Sequence, residues 1–247
     1  MSSESAPAPA AKKGYLTVFA LPTDPSFLPP SGSHLIFNKW YNEQHIPDIL
    51  SLGSSSGFRS ANRYIRAGVN PSNPALSSTA NDVTYPKDSK WEYLAMYAVD
   101  DVEKARSYPE SGLYKVPLEH EMLPAGGKAM EMARWEMGFW EVVAESGESD
   151  SSKQTDIIVV PVDSSDIPGH DVPGAHPSAI LDYSRKGWEG PDPVRSTLLK
   201  FIAPAPGGDG TGYKQYLAVH EVEPNTEETV MPEFKTVKYK LFKKFGV

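Results

Sequence analysis

A chain of 247 residues, 39% hydrophobic and 23% charged, is long enough to bury a core and lies in the globular range, outside the disordered one. Its formal charge of −8, with 24 Lys and Arg against 32 Asp and Glu, argues against a nucleic-acid partner, because phosphate binding needs a basic face. The absence of cysteine excludes disulfides, zinc–thiolate sites, iron–sulfur clusters and thiol nucleophiles, and fits a reducing compartment.

Residues 1–13 (MSSESAPAPAAKK) are small, polar and Pro/Ala-rich; they read as a disordered tail without a secretory apolar segment. No stretch approaches the ~20 apolar residues of a membrane span, so no membrane partner and a cytoplasmic location are expected. Residues 14–21 (GYLTVFAL) read as a first strand. Residues 35–52 follow with helical spacing of Ile36, Trp40, Ile46 and Ile49, and Pro47 predicts a kink or break near Ile46. Residues 58–67 (FRSANRYIRA) form a second strand with Phe58, Ser60, Asn62, Tyr64 and Arg66 on one face. A proline-bearing loop spans 68–89, a third strand 91–99 and a short helix 100–108 capped by Asp100 or Asp101. A fourth strand covers 133–144 (ARWEMGFWEVVA).

Residues 145–154 (ESGESDSSKQ) lack any bulky apolar side chain and read as a linker, centred on 146–154. The order then repeats: strands at 156–162, 194–203, 213–222 and 236–245, with helices at 177–186 and near 226–234. The segment EYLAMYAVD (92–100) matches QYLAVHEVE (215–223) in register, sharing Tyr, Leu, Ala and Val. Both halves therefore read β-α-β-β-α-β, and the expected fold is α+β: two tandem ferredoxin-like units, 14–145 and 155–247, the second degenerate. Strands such as 93–97, apolar on both faces, suit a sheet covered on both sides.

The helix segment IFNKWYNEQHIPDIL (36–50), the GF pair Gly57–Phe58, ANRY (61–64) and YLAMYAVDD (93–101) together resemble the EthD-type dimeric α+β barrel family. The resemblance covers residues 14–145. It implies that the two halves place sheet against sheet as an intramolecular barrel, monomeric or weakly homodimeric, with a pocket between helices and sheet that the helix histidine faces. Haem-binding relatives of that barrel exist, but nothing in this sequence favours a haem ligand, and no cofactor is expected.

His45 is the leading chemical candidate, since histidine is the main side chain left to titrate near neutrality. Tyr41 precedes it by four residues and Asp48 follows by three, on one helix face, where a carboxylate orients an imidazole and a phenol donates to a substrate oxygen. The competing reading makes His45 a helix-capping residue that bonds backbone freed by Pro47. Trp40, Asn62, Tyr64, Tyr93, Tyr97 and Trp135 are candidate substrate contacts, with ordinary core packing as the alternative. Arg63 and Arg66 read equally as surface charges, and His34 as an exposed residue near the helix start. The other histidines show no zincin or metal-ligand spacing, and no metal site is expected. Neither a dinucleotide fingerprint, a P-loop nor a nucleophile elbow is present. The expected function is a cofactor-independent enzyme on a small hydrophobic, aromatic or polyketide-like molecule. It would be of cyclase, lyase, decarboxylase or monooxygenase type, working through His45 acid/base chemistry. The alternative is a non-catalytic small-molecule-binding or stress-related barrel protein.

Overall fold

The computed structural model describes residues 10–23, 34–53, 56–69, 91–107, 111–123, 127–148, 153–167, 176–206, 213–224, 229–230, 234 and 236–246. The loop read at 68–89 lies largely outside them, as does most of the 1–13 tail.

Among the described residues ten strands occur in chain order: β1 (Gly14–Pro22), β2 (Phe58–Arg66), β3 (Tyr93–Val99), β4 (Ala133–Gly147), β5 (Asp156–Val162), β6 (Trp188–Glu189), β7 (Arg195–Pro204), β8 (Tyr216–Val222), β9 (Thr229–Val230) and β10 (Val237–Phe245). Eight of them close into one antiparallel barrel in the order β1-β3-β2-β10-β5-β8-β7-β4, while β6 and β9 pair separately. The helices are α1 (Leu35–Trp40), a π turn (Tyr41–His45), α2 (Ile46–Ser51), α3 (Val102–Arg106), α4 (Ala129–Met132) and α5 (Pro177–Ser184). None of those described is long and apolar enough to cross a membrane.

This architecture corrects the expectation of two tandem ferredoxin-like units in an EthD-type dimeric α+β barrel. The fold is mainly β, a single eight-stranded closed barrel. The halves do not stack sheet on sheet. They join edge to edge, with Arg66 of β2 opposite Tyr239 of β10 and Glu141 of β4 opposite Lys200 of β7. Closure consumes all four edges, which removes the unpaired N–H and C=O rows that open sheets must protect. Helical content also falls short of β-α-β-β-α-β. α3 has five residues, and within the helix expected near 226–234 the described pair Thr229–Val230 is a strand. The linker also starts later than read, because β4 continues to Gly147 against Arg195 of β7.

Strand alternation builds the layers. Leu94 and Met96 point into the barrel with Phe19, Trp140, Leu199 and Leu217, whereas Tyr93, Ala95 and Tyr97 point outward beneath α1 and α2. In the second half Ile157 and Val159 point inward, and Ile158 and Val160 pack outward against Ile180 and Leu181 of α5. Both faces of each central strand are thus dry, which is why they are apolar at consecutive positions. β3 and β8, the matched segments, each pair with the first strand of their own half, Tyr97 opposite Leu16 and His220 opposite Ile158.

Two local departures position the site. A register shift between Phe58 and Ser60 turns Phe58 into the outer cluster, while Tyr64 stays inside the barrel. The helix does not break at Pro47. It widens over Tyr41–His45, where the Ile46 N–H reaches the Tyr41 carbonyl, and then continues into α2 with Pro47 in its first turn. A proline ring clashes with the carbonyl four residues back in a regular helix, and the widened turn relieves that crowding.

Candidate active site

An apolar cavity of about 150 Å³ lies between the α1–α2 helix and the outer wall formed by β1 and β4. Leu16 and Val18 of β1, Trp135 and Met137 of β4, and Trp40 and His45 of the helix line it, with Tyr114 and Leu118 at its rim. Those two rim side chains are 53% and 41% exposed, so the rim is accessible.

The π turn assembles the chemical end of this cavity. Trp40 and His45 are five residues apart, a separation that a regular helix places on different faces but a π turn brings together. Their rings stack at 4.8 Å with 23° between planes, and the Tyr41 ring meets the imidazole edge-on at 5.1 Å. His45 Nδ1 is buried without a hydrogen-bond partner among the described residues, and the imidazole lines the cavity. Burial first, and the nearby Arg63 guanidinium second, push the His45 pKa down to about 4. The imidazole is therefore neutral at physiological pH.

The other expected site residues divide into four groups. Trp135 lines the cavity with His45, stacks on Tyr41 at 6.1 Å, and donates its indole N–H to the Ala129 carbonyl at 3.2 Å. Tyr41, Tyr93 and Tyr97 lie behind it, buried between helix and wall. Tyr97 donates its hydroxyl to Tyr41 at 3.4 Å, and burial raises the pKa of both phenols. Asn62 and Tyr64 lie on the far side of the wall and line a separate cavity inside the barrel. Asp48 is not directed at His45; its carboxylate accepts two bonds from Gln44 Nε2 at 2.9 and 2.8 Å, the neighbour four residues back.

Two functional-looking residues escaped the sequence reading. Arg63, taken as a possible surface charge, is 1% exposed. Its guanidinium lies 4.4 Å from the Tyr41 ring centre, 4.8 Å from Tyr93 and 5.4 Å from Phe37, and it donates to Asn42 Oδ1 at 2.9 Å. Burial lowers its pKa to about 10, so it stays charged and acts as the fixed cation behind His45. The legible signal was its position one residue out of phase with Ser60, Asn62 and Tyr64, which puts it on the helix-covered face. His34 is likewise buried, with Nδ1 2.8 Å from the Tyr93 hydroxyl and 3.4 Å from Glu92 Oε2. Burial pushes His34 down to about 4 and Glu92 up to about 7, so between those values both groups are neutral. Among the described residues no cluster of three or more potential ligands is placed to hold a metal ion.

Neither a family model nor a curated protein matches this sequence, and the EthD-type resemblance gains no support from them. Among solved structures there are distant matches. A "putative monooxygenase" from Fusobacterium nucleatum subsp. nucleatum superposes with a TM-score of 0.47 at 8% identity, covering 96% of this chain and 95% of its own. A second "putative monooxygenase", from Lactobacillus acidophilus, gives 0.42 at 6% identity, covering 94% and 95%. These distant matches do not identify a specific reaction.

Proposed function

We propose that this protein is a cofactor-independent enzyme whose substrate is a hydrophobic, aromatic or polyketide-like molecule that inserts one ring into the His45 cavity. The observation that carries the reading is a neutral imidazole edge opening into an otherwise apolar, aromatic-lined space. An apolar cavity near 150 Å³ is the size that accepts benzene in an engineered protein core. A longer substrate would extend past the rim at Tyr114 and Leu118.

An orphaned N–H costs more than an orphaned lone pair, which favours the tautomer with its proton on Nε2. His45 then works as a hydrogen-bond donor toward a substrate oxygen on which negative charge builds. Enolisation, cyclisation, decarboxylation and cofactor-free oxygenation of phenolic rings share that charge build-up. Arg63 adds a fixed positive field behind Tyr41. Trp40 and Tyr41 hold the imidazole plane by ring contact, the orienting role expected of Asp48.

The test compares wild type with His45→Ala and His45→Gln on a panel of naphthols and anthrones, with folding checked by circular dichroism. Binding, read from quenching of Trp40 and Trp135 fluorescence, should survive within a few-fold, while turnover falls by about a hundredfold. If every variant binds alike and none turns a substrate over, the enzyme reading fails and the cavity belongs to a binding protein.

A further inference from the structure

We propose that the barrel interior holds a second ligand site, separate from the His45 cavity, for a small uncharged ring that bears several hydroxyl groups. The cavity measures about 330 Å³ and occupies the end of the barrel where β1, β2, β5 and β7 begin. That is within the ordinary range of small-molecule pockets, about 300–1,000 Å³.

An eight-stranded barrel is just wide enough for its own side chains to fill, or to hold one small ligand. Both solutions occur here. Toward one end the interior is packed by Phe19, Trp91, Leu94, Trp140, Leu217 and Tyr239. Toward the other, inward positions carry Ser60, Ala98, Thr155 and Thr197, which are too short to meet across the lumen. Small side chains at these inward positions help to leave the space open.

The lining chemistry selects the ligand. Its charged groups are already engaged: Arg195 is shared by Glu221, at 3.3 Å, and Glu145, while Lys244 donates to the Lys153 backbone carbonyl. An ion would have to compete with these contacts, whereas an uncharged ligand leaves them in place. The uncommitted groups are hydroxyls. Tyr64 accepts from Asn62 at 3.3 Å and keeps its own hydrogen to donate, and Ser60 and Thr197 make no side-chain hydrogen bond among the described residues. Thr155 donates to Glu221 at 3.1 Å and can still accept. Between these groups Met96, Ile157, Val219 and Phe245 supply apolar surface. Alternating hydroxyl edges and hydrocarbon faces are what a polyol ring presents. A plain hydrocarbon would leave the buried hydroxyls without partners.

The test is calorimetric titration of the full chain with myo-inositol and methyl glucoside. Binding is expected for at least one. Tyr64→Phe, which keeps the ring, should weaken it by about tenfold; Thr197→Leu, which fills the lumen, should abolish it, with folding confirmed by thermal unfolding. His45→Ala should leave it unchanged, so failure here is distinguishable from failure of the active-site reading. The proposal is overturned if neither polyol binds, if benzoate or naphthalene binds instead at this site, if Thr197→Leu binds normally, or if His45→Ala removes binding.

Discussion

Replacing His45 by glutamine should remove a defined part of the protein's acid sensitivity. The folded-state pKa of about 4 lies below the usual imidazole value of 6.5. Below 6.5 the unfolded chain therefore takes up a proton that the folded chain refuses. The stability tied to His45 is complete above 6.5 and is lost as pH falls toward 4. Between about pH 7 and about pH 4.5 the linkage relation gives a loss of about 2–3 kcal/mol from this one residue. Glutamine keeps a neutral polar side chain at the cavity and carries no titration. Urea unfolding followed by tryptophan fluorescence, at both pH values and on both proteins, isolates the difference. His34 and His220 also have lowered pKa values and contribute equally to the two slopes, so they cancel. Wild type should lose about 2–3 kcal/mol more than the variant over this interval. Equal slopes would refute the buried, neutral imidazole, and with it the donor role. Arg63→Met supplies a second arm: it keeps the packing, removes the cation, and should raise the His45 titration midpoint seen by NMR.

Two further outcomes test the frame that holds the site. A Cβ on Gly14 would fall inside contact with the Trp140 carbonyl oxygen, a backbone atom that cannot swing aside, and with Val102. Gly14→Ala should cost about 2–3 kcal/mol in thermal or urea unfolding, and a neutral result would contradict the β1–β4 register. His220 bridges Ser184 of α5 at 2.9 Å and Ser196 of β7 at 2.7 Å while packing on Trp188. His220→Ala leaves the buried Ser196 hydroxyl without its partner, while Ser184 still donates to the Leu181 carbonyl, and should cost about 2–3 kcal/mol; an unchanged midpoint would mean that α5 is held by its apolar face alone.

The strands were legible because their pattern is extreme. DIIVVPV (Asp156–Val162) is buried at every position, and that run coincides with β5. The closure was not legible, since β2 with β10 and β4 with β7 are long-range pairings whose partners leave no local mark. The helix around His45 was read from its apolar spacing, but a 3.6-residue period pairs His45 with Tyr41 and cannot foresee the five-residue stack on Trp40. Asp48 is drawn away from His45, three residues back, by Gln44, four residues back, whose amide donates to its carboxylate. Polarity makes His34 read as exposed and leaves Arg63 open to a surface reading, yet both side chains are buried. Each is accommodated by long-range partners: Tyr93 and Glu92 for one, Tyr41, Tyr93 and Phe37 for the other. Phe58 changed face through a bulge, which simple alternation along a strand cannot show.

The same alternation explains why one set of candidate residues separates into two sites. Along β3, Tyr97 points outward to Tyr41 and so toward His45, while Met96 and Ala98 on either side of it point into the barrel cavity. Along β1, Leu16 and Val18 line the outer cavity and Tyr15 the inner one. A single sheet thickness separates the two spaces, and no side chain lines both. Ligands placed in the two spaces would not touch. Any influence between them must pass through the β1–β3 wall, whose outward and inward residues are both packed in apolar clusters. A well-packed wall resists small displacements rather than relaying them. Substitutions at His45 and at Thr197 should accordingly act independently, each on its own ligand.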